Sequence, residues 1–163
     1  MINNLCTNDP VEQILDKYSS MVFRIALSAT NNVHHAEDIM QDVFLRYVNK
    51  GPCFDSEEHE KAWFIRVTVN CSKDLLQSAW LRKIKGLDRE IAVTFNEKSE
   101  VYHAVMQLPR DMRTVIYLHY YEDYKIHEIA ELLKRSDSYV KSILHRARKK
   151  LKTFLEENED VNF

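Results

Sequence analysis

The side chains of this sequence that are most suited to binding chemistry are concentrated in residues 134–152, "KRSDSYVKSILHRARKKLK". This segment holds eight lysines and arginines against one acid, a net charge of +7, whereas the whole chain carries −2, so the other residues total −9. A concentrated basic surface on an otherwise acidic chain suits a polyanion, because clustered cations attract phosphate groups. A solvated helix surface without a ligand is the alternative, and charge alone does not separate the two.

The spacing within this segment predicts an amphipathic helix that follows a short helix, "KIHEIAELL", and a tight turn, "KRSD". This order is typical of a helix-turn-helix motif, and Ser136 is well placed to cap the second helix. Such a helix enters the major groove with its early residues on base edges and its later cations on phosphates. The inward residues are Val140, Ile143, Leu144, Ala147 and Leu151. The predicted DNA contacts are Ser138, Tyr139, Lys141, Ser142, His145, Arg146, Arg148 and Lys149.

A second group of candidate residues follows the pattern "HEKAWFIRVTVNCSKDLLQSAWLRK". Aromatic residues lie beside cationic ones there, and this combination suits single-stranded DNA because bases stack on rings while phosphates pair with cations. For Trp63, a place in the hydrophobic core is the preferred interpretation. The residues of this group are Trp63, Phe64, Arg66, Asn70, Lys73 and Asp74.

The cluster His34, His35, Glu37 and Asp38 suggests a metal site, since His34 and Asp38 stand four residues apart on a helix. No second cluster or general base accompanies it, and the polar start of a helix explains the same residues. The three cysteines include no Cys-x-x-Cys pair, the usual sign of structural zinc. The sequence therefore predicts neither a metal site nor a cofactor.

The elements that carry these residues are predicted to be helices, because two glycines and three prolines are few for a strand-rich fold. Periodicity weakens between Ile84 and Lys98, which predicts two small domains, 1–83 and 99–157, joined by a linker, 84–98, and followed by an acidic tail, 158–163. No apolar run approaches the roughly 20 residues of a membrane span. The N-terminus lacks the features of a signal peptide, so a cytoplasmic protein without membrane insertion is expected.

Residues 108–151 resemble region 4 of the extracytoplasmic-function (ECF, group IV) sigma factors, which belong to the sigma-70 family of bacterial RNA polymerase. Region 4 of this family binds the −35 promoter element, so the resemblance implies that role for residues 99–157. Lys134 and Arg135 stand where the family usually has a glycine and an apolar residue, which predicts a longer or less tight turn. The shared positions are Leu108, Pro109, Arg113, Glu128, Ile129, Ala130, Leu133, Ser136, Val140, Lys141, Ser142, Leu144, Arg146, Ala147, Arg148 and Leu151.

Residues 36–48, "AEDIMQDVFLRYV", resemble region 2.2 of the same family, and residues 61–76, "KAWFIRVTVNCSKDLL", resemble regions 2.3 and 2.4. The resemblance implies docking onto the β′ clamp helices of core RNA polymerase, for which the candidates are Asp38, Gln41, Asp42 and Leu45. It also implies a contact of region 4 with the β flap. The loop Phe54 to Glu60 would hold a flipped base of the −10 element together with Asn70. The implied −10 residues are Trp63, Arg66, Asn70, Lys73, Arg82 and Lys83.

These observations together predict a sigma factor that directs core polymerase to a set of promoters and has no catalytic centre of its own. Promoter DNA and core polymerase are the expected partners, and the family resemblance adds an anti-sigma factor as a candidate. One alternative is a helix-turn-helix regulator that acts without replacing the sigma subunit. Another is a metal-dependent enzyme that uses His34, His35 and Asp38.

Overall fold

The structure, a computed structural model, describes residues 10–84 and 100–159, with residues 81–84 and 159 described by their backbone alone. These ranges contain seven α-helices and no strand, which confirms the all-α prediction. Of the predicted linker only Ile84 is described, and of the acidic tail only its first two residues, both part of α7. The helices are α1 (Val11–Thr30), α2 (Val33–Lys50), α3 (Glu57–Ile84), α4 (Glu100–Met106), α5 (Arg110–Tyr120), α6 (Ile126–Leu133) and α7 (Asp137–Glu159).

The chain divides into an N-terminal unit that contains α1–α3 and a C-terminal unit that contains α4–α7. Each of the three N-terminal helices packs against the other two. The β-branched run from Ile65 to Val69, which taken alone suggests a strand, lies within α3. Its neighbours at helical spacing bury a common face, and this tertiary packing outweighs the local strand propensity.

An aromatic cluster forms the centre of the N-terminal core around Phe64, which is fully buried. The ring of Phe64 lies 4.5 Å from that of Tyr18, 5.4 Å from that of Phe44 and 5.3 Å from that of Tyr47, measured between centroids. These partners come from α1 and α2, so one residue of α3 ties all three helices together. Contacts at such distances add to the free energy of burial.

The N-terminal unit also buries the carboxylate of Glu60, whose exposed fraction is 4%. It accepts a hydrogen bond of 2.7 Å from the Tyr18 hydroxyl and one of 3.2 Å from the Lys17 ammonium. Buried charge is tolerated when it is paired and hydrogen-bonded, as here. Burial, together with the Glu60 carboxylate, raises the pKa of Tyr18 well above its ordinary value. This network fixes the first turn of α3 against α1.

The helix ends in this unit follow their local sequence. The Asn32 side chain accepts a hydrogen bond of 3.1 Å from the backbone N–H of His35 and so caps α2. Ser56 does the same for α3, through a bond of 3.1 Å from the N–H of His59. Gly51 ends α2 in the left-handed conformation, with φ of 50°. These caps set the short connection that precedes α3.

The C-terminal unit is built around α7, against which α4, α5 and α6 all pack. Its core includes Leu108, Leu118, Ile129 and Leu144, each no more than 1% exposed. Arg113 donates a hydrogen bond of 2.8 Å to the carbonyl of Leu108, just beyond the end of α4. Removal from water lowers the pKa of Arg113, and this bond compensates for the loss of solvation. Within the described residues, no helix combines the length and apolar character needed to cross a bilayer.

Candidate nucleic-acid and polymerase interfaces

The turn before α7 sets the direction in which that helix presents its side chains. Lys134 adopts the left-handed conformation, with φ of 54° and ψ of 49°, at the position where a glycine usually ends a helix. The backbone N–H of Arg135 then bonds to the carbonyl of Ala130 at 2.8 Å. Ser136 caps α7 as predicted, because its hydroxyl accepts a hydrogen bond of 3.1 Å from the N–H of Tyr139. The expectation of a looser turn is wrong, since Lys134 accepts a backbone conformation that glycine adopts without strain.

The inward face of α7 was predicted correctly at Val140, Ile143, Leu144 and Ala147, which are buried, whereas Leu151 is half-buried. The opposite face therefore points away from the core of the C-terminal unit. Besides Arg148, which pairs with α5, six of the eight candidate −35 residues are exposed. They are Ser138, Lys141, Ser142, His145, Arg146 and Lys149.

The other two candidate −35 residues are engaged by α5 and its surroundings. Tyr139 is half-buried, its hydroxyl donates to Asp111 at 3.4 Å, and the guanidinium of Arg135 lies 5.0 Å from its ring centroid. Arg148 is exposed, and its Nε donates a hydrogen bond of 2.6 Å to the hydroxyl of Tyr120. Within α5, Leu118 is fully buried, whereas Tyr120 is exposed.

The candidate polymerase-binding residues lie on α2. Asp38, Gln41 and Leu45 are exposed, and one turn further Val48 is also exposed. Leu45 and Val48 have exposed fractions of 53% and 51%, which is high for aliphatic side chains on a helix that packs on two others. Val48 was missed because it directly follows the buried Tyr47, and an apolar residue at the edge of the buried face is equally compatible with a buried or an exposed position.

Asp42 differs from its neighbours on α2 because it turns toward α3 and is half-buried. Its carboxylate lies 3.0 Å from the guanidinium of Arg46 and accepts a hydrogen bond of 3.4 Å from the thiol of Cys71. Burial, with the nearby carboxylates, raises the pKa of Cys71 to about 12. The thiol is therefore protonated at neutral pH and acts as a donor that orients Asp42.

Four of the candidate −10 residues lie along α3 with spacings of three and four, which places Trp63, Arg66, Asn70 and Lys73 on one side of the helix. Trp63 is half-buried, with ring centroids of Tyr47, Phe54 and Phe64 at 6.0, 5.9 and 5.0 Å. Arg66 is half-buried as well, whereas Asn70 and Lys73 are exposed. Arg82 and Lys83 belong to the last turn of α3, where the side chains lie outside the description.

Trp80 extends the same side of α3, seven residues after Lys73, and its exposed fraction is 62%. It was not singled out from the sequence, because the surrounding residues "QSAWLRK" gave no indication of which side the indole would take. An indole in contact with solvent is uncommon and provides a flat surface on which a base can stack.

The loop expected between Phe54 and Glu60 is shorter than the resemblance implied, since α3 already begins at Glu57. Phe54 and Glu60 are both buried, with exposed fractions of 5% and 4%. Neither side chain is therefore accessible to a base.

Among the residues that the structure describes, the histidines at the start of α2 have no further ligands that would complete a metal site. His34 is exposed, and its Nδ1 lies 3.7 Å from the carboxylate of Glu37, one turn further on. Across residues 10–84 and 100–159, no group of three or more His, Cys, Asp or Glu side chains is arranged to hold a metal ion.

Comparison with known families accounts for both units. Residues 14–82 match the family model described as "Sigma-70 region 2", and residues 98–151 match "Sigma-70, region 4". The sigma factor SigV of Bacillus subtilis is 30% identical over 135 residues, which cover 78% of this chain and 80% of SigV. The chain belongs to the ECF sigma factors of the sigma-70 family.

Further relatives carry the same family name. The ECF sigma factor SigX of Bacillus subtilis is 27% identical over 159 residues, which cover 88% of this chain and 82% of SigX. Among solved structures, the sigma factor RpoE from Bartonella quintana, crystallised with the anti-sigma factor NepR, superposes with a TM-score of 0.71. That alignment covers 89% of this chain and 96% of RpoE at 21% identity, so it supports the fold alone.

As an ECF sigma factor, the protein is a transcription initiation factor that directs core RNA polymerase to promoters. The match to region 2 covers most of the N-terminal unit, which in a plain helix-turn-helix regulator would instead be a dimerisation or ligand-binding module. The two-region match thus favours the sigma-factor prediction over the regulator.

Proposed function

We propose that the two units divide promoter recognition between them, with α7 of the C-terminal unit reading the −35 element. The observation that carries this proposal is the outward face of α7, where Ser142, His145, Arg146 and Lys149 are exposed together. Ser138, Ser142 and His145 lie toward the start of the helix and would approach base edges. Arg146 and Lys149 would pair with phosphates, which provide affinity rather than sequence selection.

The proposed role of α3 is to hold the separated strand of the −10 element. Asn70 offers an amide for hydrogen bonds to an unpaired base, and Lys73 and Arg66 offer cations for the phosphates. Trp80 adds an exposed ring on the same side of the helix. Trp63 would shape this surface more than stack on a base, because its ring is partly enclosed by the aromatic cluster. Arg82 and Lys83, at the end of α3, would hold the duplex upstream.

The proposed role of α2 is to dock on the β′ clamp helices of core polymerase. Leu45 and Val48 present apolar surface that becomes buried on binding, which is where interfaces derive most of their free energy. Asp38, Gln41 and Asp42 surround them with polar groups. Because Arg46 and Cys71 already hold the Asp42 carboxylate, little conformational entropy is lost when a partner engages it.

The remaining parts of the proposal follow from the family. The protein would act in the cytoplasm, where core polymerase works, and would leave phosphoryl transfer to that enzyme. The C-terminal unit would contact the β flap, and an anti-sigma factor would be the candidate inhibitor.

Run-off transcription with purified core polymerase and genomic promoter fragments tests the proposal. We expect transcripts from a defined set of fragments only when the protein is added. Asn70→Ala should reduce strand opening, detected by permanganate reactivity of unpaired thymines, and Lys149→Ala should reduce promoter binding at the closed stage. Sequence-specific binding to a palindromic site without polymerase, and no initiation with it, would instead identify a regulator.

A further inference from the structure

A pair of exposed side chains joins the end of α5 to the middle of α7. The Nε of Arg148 donates a hydrogen bond of 2.6 Å to the hydroxyl of Tyr120, and the guanidinium carbon lies 5.6 Å from the centroid of the Tyr120 ring. Tyr120 is 52% exposed, and Arg148 is also exposed. Two long side chains from different helices are therefore held in one arrangement at the surface of the C-terminal unit.

The hydrogen-bonding capacity of this pair suits an anion. An arginine has five N–H donors, and the bond to Tyr120 uses only the one on Nε. The two terminal nitrogens form the planar fork that matches two oxygens of a phosphate. The Tyr120 oxygen accepts from Arg148, and a phenol can donate its own hydrogen at the same time. The pair can thus direct donors from two residues at one phosphate group.

The surroundings favour an anion over a cation. Lys141 lies on the same side of α7 as Arg148, seven residues before it, and is exposed. Lys152, four residues after Arg148, is also exposed, and its ammonium lies 3.7 Å from the carboxylate of Glu156, one turn further from Arg148. Glu122, the acid next after Tyr120 in the chain, accepts a hydrogen bond of 2.9 Å from Tyr117. A line of cations beside the face of α7 that carries Ser142 and Lys149 is where a DNA backbone would pass if that face enters a groove.

We propose that Tyr120 and Arg148 together bind one backbone phosphate of promoter DNA beside the −35 element. This inference rests on the proposed binding of α7 to that element and adds a contact from α5, outside the recognition helix. Because the hydrogen bond to Tyr120 already orients the guanidinium, less conformational entropy is lost when the phosphate binds. Tyr120 therefore acts both as a direct donor and as the residue that positions Arg148.

A double-mutant cycle in the complete holoenzyme tests the pair. The variants are Tyr120→Phe, Arg148→Ala and both together, and the matched control is Tyr121→Phe, since Tyr121 is a neighbouring tyrosine with 59% exposure. The probe is a promoter fragment selected by run-off transcription with the wild-type protein, and its affinity is measured over a series of salt concentrations. Thermal unfolding of each free variant is recorded in parallel.

We expect Tyr120→Phe to weaken promoter binding about 3- to 10-fold, the usual effect of losing one hydrogen bond that is partly exposed to solvent. In the Arg148→Ala background the same substitution should change affinity less than about 2-fold, because the site is already lost. Arg148→Ala should reduce the magnitude of the slope of log K against log salt by about 0.9, the value for one lost phosphate contact. Tyr121→Phe should match the wild type.

Two outcomes would overturn the inference. Tyr120→Phe could bind the promoter as tightly as the wild type, or the effects of the two single substitutions could simply multiply in the double variant. If Tyr120→Phe left affinity unchanged but lowered the thermal stability, the pair would be a structural link between α5 and α7. Failure of the wild-type holoenzyme to bind any selected fragment would count against the proposed function itself, before any variant is compared.

Discussion

In the N-terminal unit, several of the charged side chains that lie near functional candidates are paired within the unit. Asp42 is held by Arg46 and Cys71, and Glu60 by Tyr18 and Lys17. In the C-terminal unit, α7 instead presents a row of cations, including Lys141, to solvent. In the proposed function this difference corresponds to two kinds of recognition: a preformed surface on α2 with apolar residues for a protein partner, and an electrostatic surface on α7 for DNA.

The largest expected effect concerns the core of the N-terminal unit. Phe64→Ala should lower its free energy of unfolding by about 3–5 kcal/mol, since it removes a fully buried ring that contacts α1 and α2. Urea denaturation followed by circular dichroism measures this loss. Trp80→Ala is the matched control, because an indole that is 62% exposed should contribute far less to stability. Equal losses from the two substitutions would contradict the described core.

The next effect concerns the apolar surface of α2 and its binding to core polymerase. Leu45→Ala should weaken binding to core polymerase by roughly 2 kcal/mol, the size typical of a central apolar contact. Its effect should be nearly independent of salt, because the lost interaction is apolar. Binding is measured by fluorescence anisotropy of labelled protein titrated with core polymerase. Lys149→Ala serves as the control and should leave this affinity unchanged.

The converse test concerns the DNA partner. Lys149→Ala should weaken promoter binding by the holoenzyme and should reduce the slope of log K against log salt by about one unit. Filter binding between low and moderate salt measures both quantities. Leu45→Ala, assayed at saturating core polymerase, should retain the wild-type slope. An unchanged slope for Lys149→Ala would show that this lysine faces solvent even in the complex.

An alkaline pH profile examines the buried hydrogen bonds of the N-terminal unit. Because the pKa of Tyr18 is raised in the folded state, the unfolded tyrosine loses its proton first, and stability should fall as the pH rises above about 10. Tyr18→Phe should cost about 1 kcal/mol at neutral pH but should flatten this alkaline decline. Urea denaturation of the wild type and the variant is compared at several pH values between roughly 8 and 11, a range that includes the ordinary tyrosine pKa of about 10. A decline as steep in the variant as in the wild type would assign it to other groups.

The smallest effect compares one backbone position in each unit. Lys134→Gly should stabilise the C-terminal unit by about 0.5–1 kcal/mol, since glycine adopts the left-handed conformation without strain. Gly51→Ala should destabilise the N-terminal unit by about 1 kcal/mol, since Gly51 has a positive φ that alanine adopts only with strain. The added methyl group itself would meet no clash, because no other atom lies within 4 Å of it. Chemical denaturation measures both. Shifts of the same sign would contradict the backbone geometry described for one of the turns.

The helices and the inner face of α7 could be predicted because apolar spacing depends on a single period. Val140, Leu144 and Ala147 repeat at three or four residues and are buried, and Ser136 caps the helix as its position indicated. Periodicity is less informative for α5, because its buried residues cover most of the circumference. They are Met112, Thr114, Val115, Ile116, Tyr117 and Leu118.

The arrangement of the candidate sites was harder to predict because it depends on contacts between helices. Nothing in the local sequence places the Tyr120 hydroxyl against Arg148, 28 residues away, or the Cys71 thiol against Asp42. The looser turn expected at Lys134 was wrong because a conformational cost of about 1 kcal/mol is small beside the packing of α6 on α7. Exposed residues such as Trp80 could not be identified from periodicity, because periodicity indicates which face of a helix is buried and not which exposed residues contact a partner.

Site-specific photocrosslinking tests the division of promoter recognition most directly. A photoreactive amino acid is incorporated in place of Ser142 in one variant and in place of Asn70 in another, and each holoenzyme is bound to the same promoter fragment. The division predicts that the Ser142 probe crosslinks only to the −35 element and the Asn70 probe only to the strand separated at the −10 element. Crosslinking of both probes to one symmetric site, or of neither to DNA, would contradict it.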